Sequence, residues 1–445
     1  MQGRGGGWRR IGPGAAVLLT MALALPSAPA LAEEPPSGPA AAVLEPTRIE
    51  GATAPAPTQA GIGAVVDRTL KKSVLGSFSA VVVDPATGAV LYEREALRSR
   101  IPASTLKLVT AITALTVLDP QARLATRVVA TDDALTLIGG GDSTLARDPS
   151  AKSGNASLRV LADAVAEQVQ ASKVRLVYDD SLFTGPTLGP GWPRGFPSDG
   201  VVAPVTALMV DQGRVRPGAL ARVTDPSRQA AEVFAGYLRE RGVKVRGIER
   251  GTATGSATEI ARVESPPIAT LVQRMVTDSD NDLAEALAHL AGAKAFGKGS
   301  FDGGARAMER TMQDAKLVRG ALAPVDGSGL SGRNAVSAGT LADLLESVTR
   351  QDDPSASAIG LALPVAGFTG TLADRFRGGA SLPGAGLVRA KTGTLTGVTS
   401  LAGTVKDVDG RVLVFSVLAN GVRSIPKARR ALDLFASRLA ECGCS

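Results

Sequence analysis

The chain has 445 residues, 44% of them hydrophobic and 20% charged, and its net charge is +7. A chain of this length predicts two or three folded domains, and its composition excludes a disordered or a fibrous protein. The chain has a single histidine, which argues against multi-histidine metal sites. It has no basic run with interleaved aromatic residues, so the sequence predicts no nucleic-acid partner.

Residues 1–32 are typical of a secretory signal peptide. Arg4, Arg9 and Arg10 precede an apolar stretch from Ala15 to Leu25, and a small-x-small cleavage site ends at Ala32. An uncleaved membrane anchor is the alternative, but about 20 apolar residues are needed to span a bilayer. We therefore expect cleavage, no later transmembrane segment, and a secreted, extracytoplasmic protein of the periplasm or cell wall.

Residues 33–60 are rich in Pro and Ala and predict an extended linker, so the folded part is expected to begin near Gly61. Between Ser77 and Glu93, two β-rich runs flank a Pro-Ala-Thr-Gly turn. The spacing of apolar residues then predicts a buried helix over 106–118. Residues 126–261 alternate short Val/Leu-rich runs with Gly and Pro turns around one helix near 157–170, which indicates a separate, partly β domain.

The rest of the chain is mostly helical in pattern. The sequence predicts helices at 268–276, 282–292, 303–315 and 338–350, strands at 397–405 and 411–419, and a last helix at 426–439.

A candidate nucleophile and base lie at the start of the helix over 106–118. Ser104 and Lys107 are three residues apart, which places both side chains on one helix face. A serine is a weak nucleophile until a base takes its proton, and with only one histidine in the chain a lysine must serve. The spacing alone is a weak signal, because Ser424 and Lys427 repeat it at the start of the last helix.

Ser279-Asp280-Asn281 lies between two predicted helices. Ser279 suits a proton relay, and Asn281 suits an amide that holds a lysine or a substrate. A simple helix cap is the alternative, since Ser, Asp and Asn all favour that position. The similar sequence at 153–155 lies in a polar loop before a helix.

A third motif, Lys391-Thr392-Gly393-Thr394, opens a β-rich run. Lys391 and Thr392 suit a grip on a carboxylate, and Gly393 lets a substrate backbone approach closely. The backbone N–H of Thr394 is a candidate oxyanion donor.

The three motifs in this order resemble those of the D-Ala-D-Ala carboxypeptidase/endopeptidases, the low-molecular-mass class C penicillin-binding proteins. The likeness covers roughly residues 75–422, and it includes Gly139–Asp142 and Asp326–Ser331 besides the three motifs. The long interval between Lys107 and Ser279 is similar to that of family members, which carry extra domains there.

The resemblance implies an α/β (α+β) fold of the serine β-lactamase/D,D-transpeptidase type, with an antiparallel sheet flanked by helices. The peptidase domain would comprise residues 61–125 and 262–445, with 126–261 as an inserted, partly β region. The implied substrates are peptidoglycan peptides that end in D-Ala-D-Ala, or cross-links between them, and β-lactams would act as inhibitors. Ser104 would form an acyl-enzyme with Lys107 as base. Ser279 would pass a proton to the leaving amine, and Asn281 would order Lys107 and the acyl amide. Residues 391–394 would bind the substrate, and the resemblance implies that the reaction needs no metal and no cofactor.

Two alternatives stay open. A secreted serine β-lactamase would share the acylation step but release the acyl group faster. Class A β-lactamases need a glutamate motif after Ser-Asp-Asn, and the region around Glu309 contains none. The second alternative is a non-catalytic penicillin-sensing or wall-binding protein, which would have no use for Ser104 beside Lys107.

Three residues outside the motifs have less specific signals. His289 lies among apolar residues on the helix after Asn281, so we expect a structural role. Asp326 and Ser328 suit either a cleft wall or an ordinary Asp-Gly-Ser-Gly turn, and both interpretations stay open at this point.

Overall fold

The computed structural model describes residues 54–169, 173–350 and 354–443. The predicted signal peptide and the linker up to residue 53 lie outside the described residues. All described residues belong to one compact unit, Val43–Ser445. Thr58 caps the first described helix, whose first residue is Gln59, so folded structure begins two residues before the expected start at Gly61.

The described chain contains both helices and strands along its length. The helices are α1 (Gln59–Thr69), α2 (Lys72–Leu75), α3 (Lys107–Val117), α4 (Leu158–Gln168), α5 (Pro226–Glu240), α6 (Ile268–Asp278), α7 (Asn281–Phe296), α8 (Phe301–Asp314), α9 (Ala338–Arg350), α10 (Pro354–Ala362) and α11 (Ile425–Ala440). The strands are β1 (Ser77–Asp84), β2 (Ala89–Arg94), β3 (Ser99–Arg100), β4 (Ala125–Ala130), β5 (Ala134–Ile138), β6 (Lys173–Asp179), β7 (Lys244–Arg250), β8 (Thr258–Glu264), β9 (Leu322–Ala323), β10 (Ala335–Ser337), β11 (Val388–Leu395), β12 (Val398–Lys406) and β13 (Val412–Asn420).

The central sheet is five-stranded and antiparallel, with strand order β11-β12-β13-β1-β2. Because successive side chains of a strand point to opposite faces, the Val-rich β1 contributes to two cores. Val81 and Val83 pack in a core with α3, α6 and α9, whereas Ala80 and Val82 pack in a core with α1 and α11. Helices therefore cover both faces, which is the antiparallel sheet flanked by helices that the family resemblance implies.

A second five-stranded sheet lies within residues 125–264, which we call the 125–264 segment. Its strand order is β7-β6-β5-β4-β8, with β5, β6 and β7 parallel and the other pairs antiparallel. Neighbouring parallel strands need a crossover connection, and α4 and α5 supply the two crossovers. Both helices cover the sheet, with Leu161 and Phe234 fully buried. The segment therefore has a hydrophobic core of its own.

Helix α5 was not predicted from the sequence. The sequence predicts one helix in this region, near 157–170, and α4 occupies that place. Residues 226–240 have the usual start signals of a helix, an N-cap at Asp225 and a proline in the first turn. The parallel pairing of β6 with β7 demands this helix, but strand pairing is not visible in the sequence.

A third, small sheet has the order β3-β10-β9 and lies near the start of α3. Over the stretch of chain that the structure describes, no helix has the length and apolar character needed to cross a membrane.

Candidate active site

Ser104 and Lys107 lie where a 3-10 turn, Ala103–Leu106, leads into α3. The Lys107 side chain is fully buried. Its Nζ donates three hydrogen bonds, to Ser104 Oγ at 3.1 Å, to Asn281 Oδ1 at 2.7 Å and to the Ser328 carbonyl oxygen at 2.7 Å. The structure thus places the candidate nucleophile against the candidate base.

Burial lowers the pKa of the Lys107 amine to about 8. Removal from water disfavours the charged form of an amine, and this effect outweighs the opposing effect of nearby carboxylates, led by that of Glu285. A base works best when its pKa lies near the working pH. The lowered pKa of Lys107 therefore lies closer to neutral pH than that of an ordinary lysine.

The Ser279–Asn281 motif connects α6 to α7. Ser279 ends α6 in the left-handed conformation, with φ of 59°, and this turns the chain sharply. Asp280 caps α7 by accepting from the Leu283 N–H at 3.0 Å. Asn281 Nδ2 donates to the Val201 carbonyl at 2.9 Å, which turns its Oδ1 toward Lys107. The cap that we considered as an alternative exists, but Asp280 provides it and leaves Asn281 for the lysine.

The third motif lies on β11, an edge strand of the central sheet. Gly393 is required there, because a Cβ at this position would come within 2.8 Å of the Pro102 carbonyl oxygen. The missing side chain lets β11 approach the backbone just before Ser104. Thr392 Oγ1 donates to Thr371 Oγ1 at 2.9 Å, and Thr394 Oγ1 accepts from Arg429 at 3.0 Å.

Lys391 is the second fully buried lysine of the site. Its Nζ donates to the Thr392 carbonyl at 3.2 Å. Burial holds its pKa well below the usual value, the positive charge of Lys107 lowers it further, and the carboxylate of Asp278 opposes the shift. An anion that arrives beside Lys391 would favour the charged form of this amine.

Glu285 belongs to the site, although no role for it is predicted from the sequence. The buried Glu285 carboxylate accepts from the backbone N–H groups of Gly327 and Ser328, at 3.0 and 2.8 Å, and so fixes the carbonyl that Lys107 uses. Burial raises the pKa of Glu285. The sequence contains a signal for this residue, because Glu285 follows Asn281 by one helical turn and so lies on the same helix face.

The Asp326–Gly329 turn also belongs to the site. Asp326 accepts from the Gly329 N–H at 2.8 Å and from Trp192 Nε1 at 2.8 Å. Gly329 has φ of 81° and lies against the Ala103 carbonyl, directly before Ser104. Residues 326–329 therefore form an Asp-Gly-Ser-Gly turn. This turn also lines the site, because the Ser328 carbonyl accepts from Lys107.

The family model of the D-Ala-D-Ala carboxypeptidase 3 (S13) family matches residues 62–221 and 218–439. The chain belongs to the D-Ala-D-Ala carboxypeptidase S13 family. The family resemblance inferred from the three motifs is confirmed, and the chain is an enzyme of a peptidase family.

Two mycobacterial carboxypeptidases align with this chain over most of their own length. Carboxypeptidase DacB of Mycolicibacterium smegmatis is 35% identical over 461 residues, with 98% of each chain covered. A carboxypeptidase of Mycobacterium tuberculosis is 34% identical over 403 residues, which cover 88% of this chain and 86% of the relative.

Among solved structures, penicillin-binding protein 4 of Haemophilus influenzae has the same fold. Its TM-score is 0.72 at 22% identity, and the match covers 85% of this chain and 98% of that one. Its complex with a β-lactam gives a TM-score of 0.68. The predicted fold class is confirmed at the level of this architecture.

His289 lies next to the candidate active site but does not contact Ser104 or Lys107 in the part of the chain that the structure describes. Its Nδ1 is 2.8 Å from the Glu285 carbonyl oxygen, and its ring packs between Phe183 and Phe301. Burial lowers the pKa of His289 to about 4, so the ring is neutral at neutral pH. The structure places it in a structural role, as expected.

The second Ser-x-x-Lys lies at the start of α11. Ser424 is the N-cap residue of that helix, and Lys427 is exposed in its first turn. Within the described ranges, no group of three or more His, Cys, Asp or Glu residues could hold a metal ion.

Proposed function

We propose that this chain is a serine-type D-Ala-D-Ala carboxypeptidase that acts on peptidoglycan peptides through an acyl-enzyme at Ser104. The observation that supports it most directly is the 3.1 Å contact between Ser104 Oγ and the fully buried Nζ of Lys107. A serine and an amine in hydrogen-bond reach, with the amine oriented by a third group, is the arrangement expected of an activated nucleophile. Asn281 and the Ser328 carbonyl orient the amine.

In the proposed acylation, Ser104 Oγ attacks the carbonyl carbon of the penultimate D-Ala while Lys107 takes the hydroxyl proton. The negative charge that develops on the carbonyl oxygen is stabilised by the backbone N–H groups of Ser104 and Thr394. The C–N bond then breaks, and Ser279 passes a proton to the leaving amine. Water attacks the ester in the second half of the cycle and restores the Ser104 hydroxyl.

Lys391, Thr392 and Gly393 are proposed to bind the substrate. The terminal carboxylate would meet the Lys391 amine and the Thr392 hydroxyl, and its charge would restore the charged form of a lysine whose pKa burial has lowered. Beyond Ala390, the outer edge of β11 would pair with the extended peptide. Gly393 keeps that edge close to Ser104.

β-Lactams are proposed to acylate the same serine. Support comes from the likeness to a penicillin-binding protein whose β-lactam complex shares this fold. We also propose export by a cleaved signal at residues 1–32 and extracytoplasmic action, which rest on the sequence pattern. The division into a peptidase domain, 61–125 with 262–445, and an inserted region, 126–261, is likewise a proposal, supported by the separate sheet and core of the 125–264 segment.

Release of D-Ala from a peptide ending in D-Ala-D-Ala tests this function. We expect Ser104→Ala and Lys107→Ala to lower the rate by at least about a thousandfold, because each removes one half of the activated pair. Ser424→Ala and Lys427→Ala are matched controls with the same spacing outside the site, and they should keep the activity. Equal activity of Ser104→Ala and the parent protein would contradict the proposal.

A further inference from the structure

Arg429 is an exposed cation beside the candidate active site that the proposed mechanism does not use. It lies in the second turn of α11, and its guanidinium group donates to Thr394 Oγ1 at 3.0 Å. Side chains two residues apart on a strand point to the same face, so Thr394 and Thr392 share one face of β11. Arg429 therefore lies on the face of β11 that carries the Thr392 hydroxyl.

The charge of Arg429 is not cancelled by a carboxylate in the part of the chain that the structure describes. Thr394, which accepts its hydrogen bond, is neutral. Asp433 follows Arg429 by one helical turn, but both oxygens of the Asp433 carboxylate accept from Arg375. Burial and the positive charge of Arg375 lower the pKa of Arg429, and Asp433 opposes this shift. An arginine stays protonated in proteins, so two guanidinium groups share a single carboxylate and leave a net positive charge beside β11.

A second hydroxyl, that of Thr371, lies on the same face of β11. Thr392 Oγ1 donates to Thr371 Oγ1 at 2.9 Å. Thr371 belongs to residues 364–372, and this stretch covers the outer edge of β11 as far as Ala390, whose N–H donates to one of its carbonyls at 3.0 Å. A peptide that binds to β11 therefore finds a free edge only beyond Ala390, with Thr371 near one end and Arg429 further along.

The proposed function, on which this inference rests, sets the place of the terminal carboxylate of the substrate. The scissile carbonyl oxygen lies at the Thr394 N–H, and the terminal residue follows the scissile bond directly. Neighbouring Cα atoms are about 3.8 Å apart, so the terminal carboxylate lies within one residue of the hydroxyl to which Arg429 donates. Lys391 approaches the carboxylate from one face of β11, and Arg429 lies on the other face.

We propose that Arg429 binds the terminal carboxylate of the substrate and so determines the specificity of the enzyme for peptides with a free C-terminus. Hydrogen bonds between arginine and carboxylate are charge-assisted and stronger than those between neutral groups. Arg429 exchanges its bond to Thr394 for one to the carboxylate, which frees the Thr394 hydroxyl to donate to the same group. The covalent steps at Ser104 are unchanged.

Two peptides that differ only at the C-terminus test this assignment in the full-length protein. One ends in D-Ala-D-Ala with a free carboxylate, and the other is the corresponding carboxamide, which is uncharged. Arg429→Gln should lower kcat/KM about tenfold on the free acid, mainly through a higher KM, because the lost contact binds substrate and transition state alike. It should change kcat/KM on the carboxamide less than about twofold. Arg429→Lys keeps the charge but loses the forked donors, so its loss on the free acid should be smaller.

Arg430→Gln is the matched control, because Arg430 is the next residue of α11 and is also exposed. It should cleave both peptides at the parent rate. An equal loss on the two peptides in Arg429→Gln would show a structural role and overturn the assignment. An unchanged KM for the free acid in this variant would overturn it without the second peptide. Failure of the proposed function itself would look different, since the parent protein would then release no D-Ala.

Discussion

Lys107 combines a role as hydrogen-bond donor in the resting site with a proposed role as base. Three acceptors hold its amine in place, yet burial lowers its pKa to about 8, so the neutral amine forms at a lower pH than in an exposed lysine. The buried environment of Lys107 thus supplies both the acceptors that position its amine and the desolvation that lowers its pKa.

The rate of acylation should follow the ionisation of Lys107. Only the neutral amine accepts the Ser104 proton, and a lowered pKa brings that form within reach at lower pH. We expect the second-order rate of acylation by benzylpenicillin to rise nearly tenfold per pH unit below about pH 8 and to level off above it. Stopped-flow or quenched mass measurements from pH 5.5 to 10 check this. A profile that keeps rising to pH 10 would show an ordinary lysine.

Glu285 should act as a positioning residue for Lys107. In Glu285→Gln, one carbonyl oxygen must replace two carboxylate oxygens, and the amide NH₂ faces a backbone N–H, so the Ser328 carbonyl shifts. We expect acylation to slow by about tenfold or more. Because the Glu285 charge raises the pKa of Lys107, the midpoint of the pH profile should also move to lower pH.

The control for this variant is Glu167→Gln, on the exposed face of α4. It should change neither the rate nor the profile. A slower Glu285→Gln with an unmoved midpoint would mean that Glu285 only supports the fold.

At the scale of elements, three pieces of chain meet at Ser104 through close backbone contacts. Gly393 brings β11 against the Pro102 carbonyl, and Gly329 brings the Asp326–Gly329 turn against the Ala103 carbonyl. Side chains at either position would separate these pieces. The site therefore depends on glycines that no chemical step uses.

Gly329→Ala should destabilise the protein and slow acylation. Its Cβ would lie 2.0 Å from the Ala103 carbonyl oxygen, a clash with backbone that cannot move without displacing Ser104. Gly242→Ala separates this clash from backbone strain, because Gly242 has φ of 85° but no described atom within 4 Å of a Cβ built there. We expect a loss of about 1–2 kcal/mol for Gly242→Ala from strain alone and about 3 kcal/mol or more for Gly329→Ala.

Urea unfolding and the benzylpenicillin acylation rate measure the two effects. Gly242→Ala should acylate at the parent rate. Equal losses of stability in the two variants would mean that the contact at Ala103 contributes nothing.

The sequence predicts most elements because their signals are local. The helix over 106–118 and the strands at 397–405 and 411–419 appear within a few residues of α3, β12 and β13. Helix α5 and the order of both large sheets were not predicted, because strand pairing joins residues far apart in the chain. The same limit applies to the site. Spacing reveals Ser104 with Lys107, but the contact of Lys107 with the Ser328 carbonyl spans 221 positions and has no local signal.

At the scale of the whole molecule, the 125–264 segment supports the Ser279–Asn281 motif. Arg222 of the segment pairs with Asp282 of α7 at 3.1 Å, and both side chains are buried. Asp282 also accepts from the Ala203 N–H at 2.7 Å, and Asn281 donates to the Val201 carbonyl. The 125–264 segment therefore helps to position Lys107, because it holds Asn281, which accepts a hydrogen bond from the lysine.

Breaking the buried pair should show this dependence. Arg222→Met leaves the Asp282 carboxylate buried without its partner, and we expect a loss of about 3 kcal/mol of stability and slower acylation. Adding Asp282→Asn removes the unpaired charge and should restore part of the stability. Urea unfolding of the two single variants and the double variant measures the coupling. A double variant less stable than Arg222→Met would contradict the assignment.

The measurement that tests the central claim most directly is the intact mass of the protein incubated with benzylpenicillin over time. We predict a long-lived adduct of one penicillin molecule on the parent protein and on Ser424→Ala, and none on Ser104→Ala. Rapid hydrolysis of the drug without an adduct would instead indicate a β-lactamase. An adduct that persists in Ser104→Ala, or a parent protein that neither reacts nor hydrolyses, would contradict the assignment of Ser104 as the nucleophile.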